Sequence, residues 1–291
     1  MQHIVNDHIL INGQRIAHGI HGTGEPVILL HGTPSSSLIW RDVVPRLTKA
    51  GYQVHVYDLL GFGLSERPRD PAVDTSVSAQ GPVLEALMNH WGLESAHLIG
   101  HDLGGAIAKR LAIFRPALAR SLTLIDIVSF DSWPSPRTRE LMAAGLEKMI
   151  TASDADHKAH FREWLLSAVQ HKQPYTDGPL DTYLEFISGP TGQASLFQHQ
   201  ISHYDPKHTL EVADRLDELG ALPVRILWGA DDAWQYPEWA HKLHAAIPGS
   251  ELTILEDGGH FLMEDQPDEV SRHLIDFLDR QTTRKNRAAN A

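Results

Sequence analysis

Residues 99–105 read Ile-Gly-His-Asp-Leu-Gly-Gly, between an apolar run (Ala96–Ile99) and a stretch of helical spacing (Ala106–Phe114). Glycines stand two residues before and two after Asp102. That pattern predicts a sharp strand–turn–helix elbow pushing the Asp102 side chain into a cleft, because so tight a turn leaves no room for Cβ atoms on either side. Serine is the more usual residue at such a point, but the chain contains no Gly-x-Ser-x-Gly. The chemistry of this elbow is therefore that of a carboxylate.

The surroundings of the elbow fix the fold class. Strands are expected at His8–Asn12, Arg15–Gly19, Pro26–Leu30, Tyr52–Tyr57, Ala96–Ile99 and Ser121–Ile127. Helical spacing falls between them, at Leu38–Lys49, Ser76–Trp91 and from the elbow to Pro116. Pro26–Leu30 is apolar throughout, as in a strand covered on both faces. Alternating strands and helices predict an α/β fold with a mostly parallel, doubly wound sheet. From Trp133 to Val212 the pattern is helical, with no convincing strand. Strands return at Val224–Trp228 and Leu252–Leu255, with helices at Pro237–Ile247 and Asp268–Arg280. The economical division is one core (1–128 and 216–282) interrupted by a helical cap (129–215), with 283–291 a disordered tail.

Bulk properties narrow the partners. The 291 residues suffice for one large domain with an inserted subdomain. A formal net charge of −12 argues against nucleic acid or an anionic membrane as the main partner. With no cysteine, disulfides, thiolate metal sites and a cysteine nucleophile are excluded. The first residues lack a basic segment followed by an apolar one, and no apolar run nears the roughly 20 residues that span a bilayer. A cytoplasmic protein is the expectation.

Chain order adds to the elbow. Trp228-Gly-Ala-Asp-Asp232 follows the penultimate strand, and Glu256-Asp-Gly-Gly-His260 follows the last. A histidine after a Gly-Gly turn can swing over the sheet edge, and an aspartate there can accept its other N–H. Asp232 is the expected acid. Its neighbour Asp231 reads as solvated, and Asp126, at the end of the preceding strand, is the alternative acid. With His31-Gly-Thr-Pro34, Trp40-Arg-Asp-Val-Val-Pro45, Asp58-Leu-Leu-Gly-Phe-Gly-Leu-Ser65, Gly100-His-Asp-Leu-Gly-Gly105 and Gly259-His260, the chain resembles the α/β-hydrolases over about residues 8–280. Within them it resembles the aspartate-nucleophile group of epoxide hydrolases and haloalkane dehalogenases.

The resemblance implies a cofactor-independent hydrolase with the triad Asp102, Asp232 and His260. Asp102 would attack an sp³ carbon to form an alkyl ester, and His260 would activate the water that hydrolyses it. Backbone N–H groups of Thr33 and Leu103 would form the oxyanion hole. A typical dehalogenase carries tryptophan after the nucleophile and asparagine in the loop after the third strand; here Leu103 and Thr33 stand there. Fluoroacetate-type enzymes carry arginines after the nucleophile, whereas Leu103–Ala108 is uncharged. An epoxide needs a proton donor, supplied in the family by cap tyrosines. Tyr204 and Tyr183 are the candidates, with Tyr175 read as packing, and Trp133 and Trp164 as pocket lining. The expected partners are a small apolar organic substrate and water. Alternatives are dehalogenation, or direct base chemistry by His260 as in C–C or ester hydrolases, lyases and cofactor-free oxygenases. A non-catalytic ligand-binding protein is the remaining one. His199, His203 and His208 lack the His-Glu-x-x-His pattern and any obvious acidic ligand, so they read as a polar face and no metal is expected.

Overall fold

Val27, Ile28, Leu29, Leu30, Leu98 and Ile99 are each fully buried, so the middle of the sheet is covered on both faces. The computed structural model describes residues 3–289, with side chains to Gln281. Eight strands form one sheet: β1 (Asp7–Ile11), β2 (Gln14–His21), β3 (Glu25–Leu30), β4 (Tyr52–Tyr57), β5 (Ala96–His101), β6 (Ala119–Ile125), β7 (Val224–Gly229) and β8 (Glu251–Leu255). Their order is β1-β2-β4-β3-β5-β6-β7-β8. β1 and β2 are antiparallel, and from β4 to β8 every neighbouring pair is parallel. Parallel strands deliver their carboxyl ends to one edge, where ligands of open α/β sheets bind. Thr33, Asp102, Asp126, Asp232 and His260 all lie just beyond strand ends on that edge.

Two local expectations change. Leu38–Lys49 is not one helix but a 3₁₀ turn (Ser37–Trp40), capped by the Ser36 hydroxyl, followed by a helix (Val44–Lys49). Pro45, which lacks an N–H, sits in the first turn, where proline starts a helix rather than continuing one. The last helix runs Pro267–Ala289, into the stretch expected to be a disordered tail. Its Arg, Lys and Ala residues favour helix, and no Gly or Pro interrupts them; side chains beyond Gln281 lie outside the described residues.

Between β6 and β7 the described chain forms no strand. Its helices include Pro136–Ala144, Asp154–Leu166, Lys172–Asp177, Leu180–Ile187 and Gly189–Ser195, the last passing into a π turn (Leu196–Gln200). Among the described residues, no helix is long and apolar enough to cross a membrane.

Candidate active site

Asp102 follows β5 and caps the helix Leu103–Phe114 with φ +51°, a left-handed conformation that is strained for a side chain of this kind. The turn is tight because flanking chains press on it. A Cβ on Gly100 would lie 2.5 Å from the Gly104 carbonyl oxygen, and one on Gly104 would lie 2.4 Å from that of His31. Asp102 is 3% exposed. One carboxylate oxygen, Oδ1, accepts the Thr33 N–H at 2.7 Å. The other, Oδ2, is 3.6 Å from His260 Nε2, which has no hydrogen-bond partner of its own. Leu103 supplies the first N–H of the helix that follows, an end where backbone donors point outward.

His260 is fully buried. Its Nδ1 is 2.9 Å from Asp232 Oδ2, and Oδ1 of Asp232 accepts the N–H groups of Trp234 and Gln235, each at 2.8 Å. Asp232, rather than Asp126, thus partners the histidine, and Asp231 is exposed. Asp126 lies behind, with one oxygen on the Gly229 N–H (2.8 Å) and the other without a partner. Burial, and then the neighbouring Asp232 charge, push its pKa well above the ordinary value of an aspartate.

The charges on the histidine can be ordered by cause. Burial alone would lower its pKa, but Asp232 and Asp102 outweigh burial and raise it to about 10. For Asp102, burial acts to raise the pKa, yet the facing His260, with help from the Thr33 N–H, prevails and lowers it. The resting pair at neutral pH is a carboxylate facing an imidazolium. His101, also buried, is driven to about 3 by burial and by His260, and its Nε2 hydrogen-bonds the His260 carbonyl oxygen (2.9 Å).

The predicted cap residues separate. The Tyr204 hydroxyl forms a very short hydrogen bond with Thr33 Oγ1, whose own N–H rests on Asp102. Burial raises its pKa, so it keeps its proton. Trp133 packs edge-on against Tyr204, and its indole N–H is engaged by Thr209 Oγ1 (2.9 Å). Tyr183 does not join the site: its hydroxyl donates to Glu264 Oε1 at 2.7 Å, within a buried cluster completed by Arg41. It belongs to an amphipathic helix, and only tertiary packing decides which buried group that helix meets. Tyr175 packs on Tyr183 and Phe261. Trp164 lies face to face with Trp234 (4.6 Å, 15°), and Trp234 in turn lies over His260 (4.9 Å). Neither Trp234 nor Gln200, which accepts from Thr33 Oγ1 at 3.3 Å, carries a sequence signal for its place.

Two spaces meet at Tyr204. One, about 10 Å³, lies between Leu103, Trp133 and Gln200; the other, about 490 Å³, is lined by Leu141, Met149, Phe161, Trp164 and Ile201. A wider groove of about 790 Å³, by Leu10, Arg67 and Phe186, lies away from the triad. The three cap-side histidines face different partners: His199 the Pro68 carbonyl, His203 Asp74, His208 Ser78.

Comparison places this geometry. The family described as alpha/beta hydrolase fold matches residues 25–267. The cis-3-alkyl-4-alkyloxetan-2-one decarboxylase of Shewanella oneidensis is 26% identical over 277 residues, covering 92% of this chain and 86% of that one. Haloalkane dehalogenase 2 of Mycobacterium bovis is 26% identical over 269 residues, covering 90% and 91%. The crystal structure of an alpha/beta hydrolase fold protein from Burkholderia ambifaria is 30% identical, with TM-score 0.83, covering 95% of this chain and all of that one. With an elbow after β5, an acid after β7 and a histidine after β8, the chain belongs to the alpha/beta hydrolase fold family and is a hydrolase.

Proposed function

We propose that this hydrolase opens epoxides through a covalent ester on Asp102. The observation that carries the reading is the set of donors around the carboxylate. A protonated hydroxyl, Tyr204, is held at Thr33, while Leu103 brings no side-chain donor and the Trp133 N–H is engaged elsewhere. An alkoxide needs a proton; a halide needs only N–H donors, and the site is poor in those. The decarboxylase relative is named for an oxetan-2-one, also a strained oxygen ring.

The steps follow from the charges. Asp102 Oδ2 attacks an epoxide carbon, the C–O bond breaks, and the alkoxide takes the Tyr204 proton. Esterification removes one of the two negative charges that hold the proton on His260. Its pKa falls, and the released proton restores Tyr204. The neutral imidazole then deprotonates a water, and hydroxide adds to the ester carbonyl carbon. The oxyanion develops on Oδ1, which already accepts the Thr33 N–H, with the Leu103 N–H as the second donor proposed for it. Collapse expels the diol alkoxide, which takes the proton of the new Asp102 carboxylic acid. Asp102 is again a carboxylate and His260 again an imidazolium.

The test is the intact mass of the His260→Gln protein after incubation with epoxides, haloalkanes and esters. The expected result is a mass gain equal to a whole epoxide, located on Asp102. An alkyl gain lacking the halogen would make the enzyme a dehalogenase. No adduct from substrates that the wild type turns over would replace the covalent mechanism with direct base chemistry by His260.

A further inference from the structure

The loop that carries His260 is tied to the cap on both sides of the histidine, and one side chain makes most of the ties. Asp265 is 7% exposed. Its Oδ2 accepts the N–H of Gly259, the residue before His260, at 2.8 Å. Its Oδ1 accepts the N–H of His171 at 2.9 Å, and both oxygens share the Gln170 N–H at 3.0 Å. Gln170 and His171 lie in the cap, between the helices Asp154–Leu166 and Lys172–Asp177. On the other side of the histidine, the Phe261 N–H donates to the Ala168 carbonyl at 2.8 Å. The Trp234 indole N–H reaches Ser167 Oγ at 2.9 Å, and the same ring lies over His260. Residues 167–171 therefore wrap the histidine's loop, and a carboxylate is the only kind of side chain that gives short acceptors to N–H groups on both strands of that wrap.

We infer that Asp265 is a positioning residue for His260, fixing the imidazole against Asp232 and Asp102 and making its placement depend on the seating of the cap. The inference rests on the covalent reading for its kinetic consequence. His260 acts on water only after the ester has formed, so a displaced imidazole slows ester breakdown and leaves ester formation nearly untouched. A misplacement near 1 Å slows a catalysed step on the order of 100-fold.

The experiment uses Asp265→Asn. An amide has one oxygen, so it turns an NH₂ toward either the Gly259 or the His171 N–H and breaks one side of the clamp. Two measurements are made on the full-length variant. The first is single-turnover mass spectrometry with an epoxide that the wild type hydrolyses. The expected result is ester formation within about threefold of wild type and breakdown slowed on the order of 100-fold, with the ester accumulating on Asp102. The second is the proton NMR resonance of the His260 Nδ1–H on Asp232, expected to broaden or shift in the variant while the protein stays folded at the temperature of measurement. This signal does not depend on the ester. If wild-type Asp102 is never alkylated, the epoxide reading fails and Asp265 is judged on the resonance alone. An unmoved resonance, or equal slowing of both steps, overturns the positioning role. Should Asp265→Asn fail to fold, Asp265→Ser, with one short acceptor, is measured in the same way.

Discussion

Lys109 gives the most quantitative test of the structure. It lies on the helix that follows the elbow, is fully buried, and donates to Ser129 Oγ at 2.9 Å. Burial, with a smaller push from Arg110, lowers its pKa from 10.5 to about 7. The folded state thus favours the neutral amine, while the unfolded chain holds the proton up to its ordinary value. Stability is fully present above pH 10.5 and is lost as pH falls toward 7, below which the loss levels off. At 1.36 kcal/mol for each pH unit, the gap costs the folded protein about 5 kcal/mol at pH 6. Lys109→Met keeps the volume and removes the charge, and leaving Ser129 without its donor costs about 1 kcal/mol. The variant should be more stable by about 4 kcal/mol at pH 6, melting roughly 10 °C higher. The advantage should shrink above pH 7 and reverse near pH 10. Urea unfolding of both proteins at pH 6, 8 and 10 measures this. A difference that does not change with pH would mean the lysine keeps its proton in the fold, and the reasoning would be wrong.

Two further outcomes concern the elbow and its proton donor. In Gly32→Ala the new Cβ would lie 2.1 Å from Asp102 Oδ1, so the carboxylate must leave the Thr33 N–H. Turnover should fall on the order of 100-fold, with about 1–3 kcal/mol of stability lost by calorimetry. Unchanged turnover would show that the carboxylate is not needed where it lies. Tyr204→Phe should slow ester formation from epoxides by about 100-fold or more and spare ester breakdown, as read by rapid quench. Slower breakdown with normal formation would remove Tyr204 from the acid role.

The core was legible because its determinants are local. Val27–Leu30 can only be a covered strand, and Gly100 and Gly104 can only flank a turn too tight for Cβ atoms. The chain order of Asp102, Asp232 and His260 followed from strand ends, which apolar runs mark clearly. The cap was legible as helix but not in its contacts. Tyr183 and Tyr204 carry the same kind of side chain, yet packing gives one to Glu264 and the other to Thr33. Trp234 escaped for the same reason, since stacking on His260 depends on how two loops meet. At Leu38–Lys49 the apolar residues keep helical spacing, but Pro45 starts a new helix within it, so the stretch divides in two.

The cap's position in the chain orders the assembly of the site in time. β5 pairs with β6 over a short span (His97 with Ser121), whereas β6 pairs with β7 across about 100 residues (Leu122 with Val224). Closing a loop of that length costs about 4 kcal/mol of chain entropy before any contact forms. As the chain leaves the ribosome, β3, β5, β6 and the helix behind the elbow can assemble first, so the elbow that carries Asp102 is in place early. Asp232 and His260 arrive only with the last strands, after the whole cap has been synthesised. Asp102 therefore meets Asp232 and His260 only after the cap has been made, and a chain cut short within or just after the cap carries the elbow without either of them.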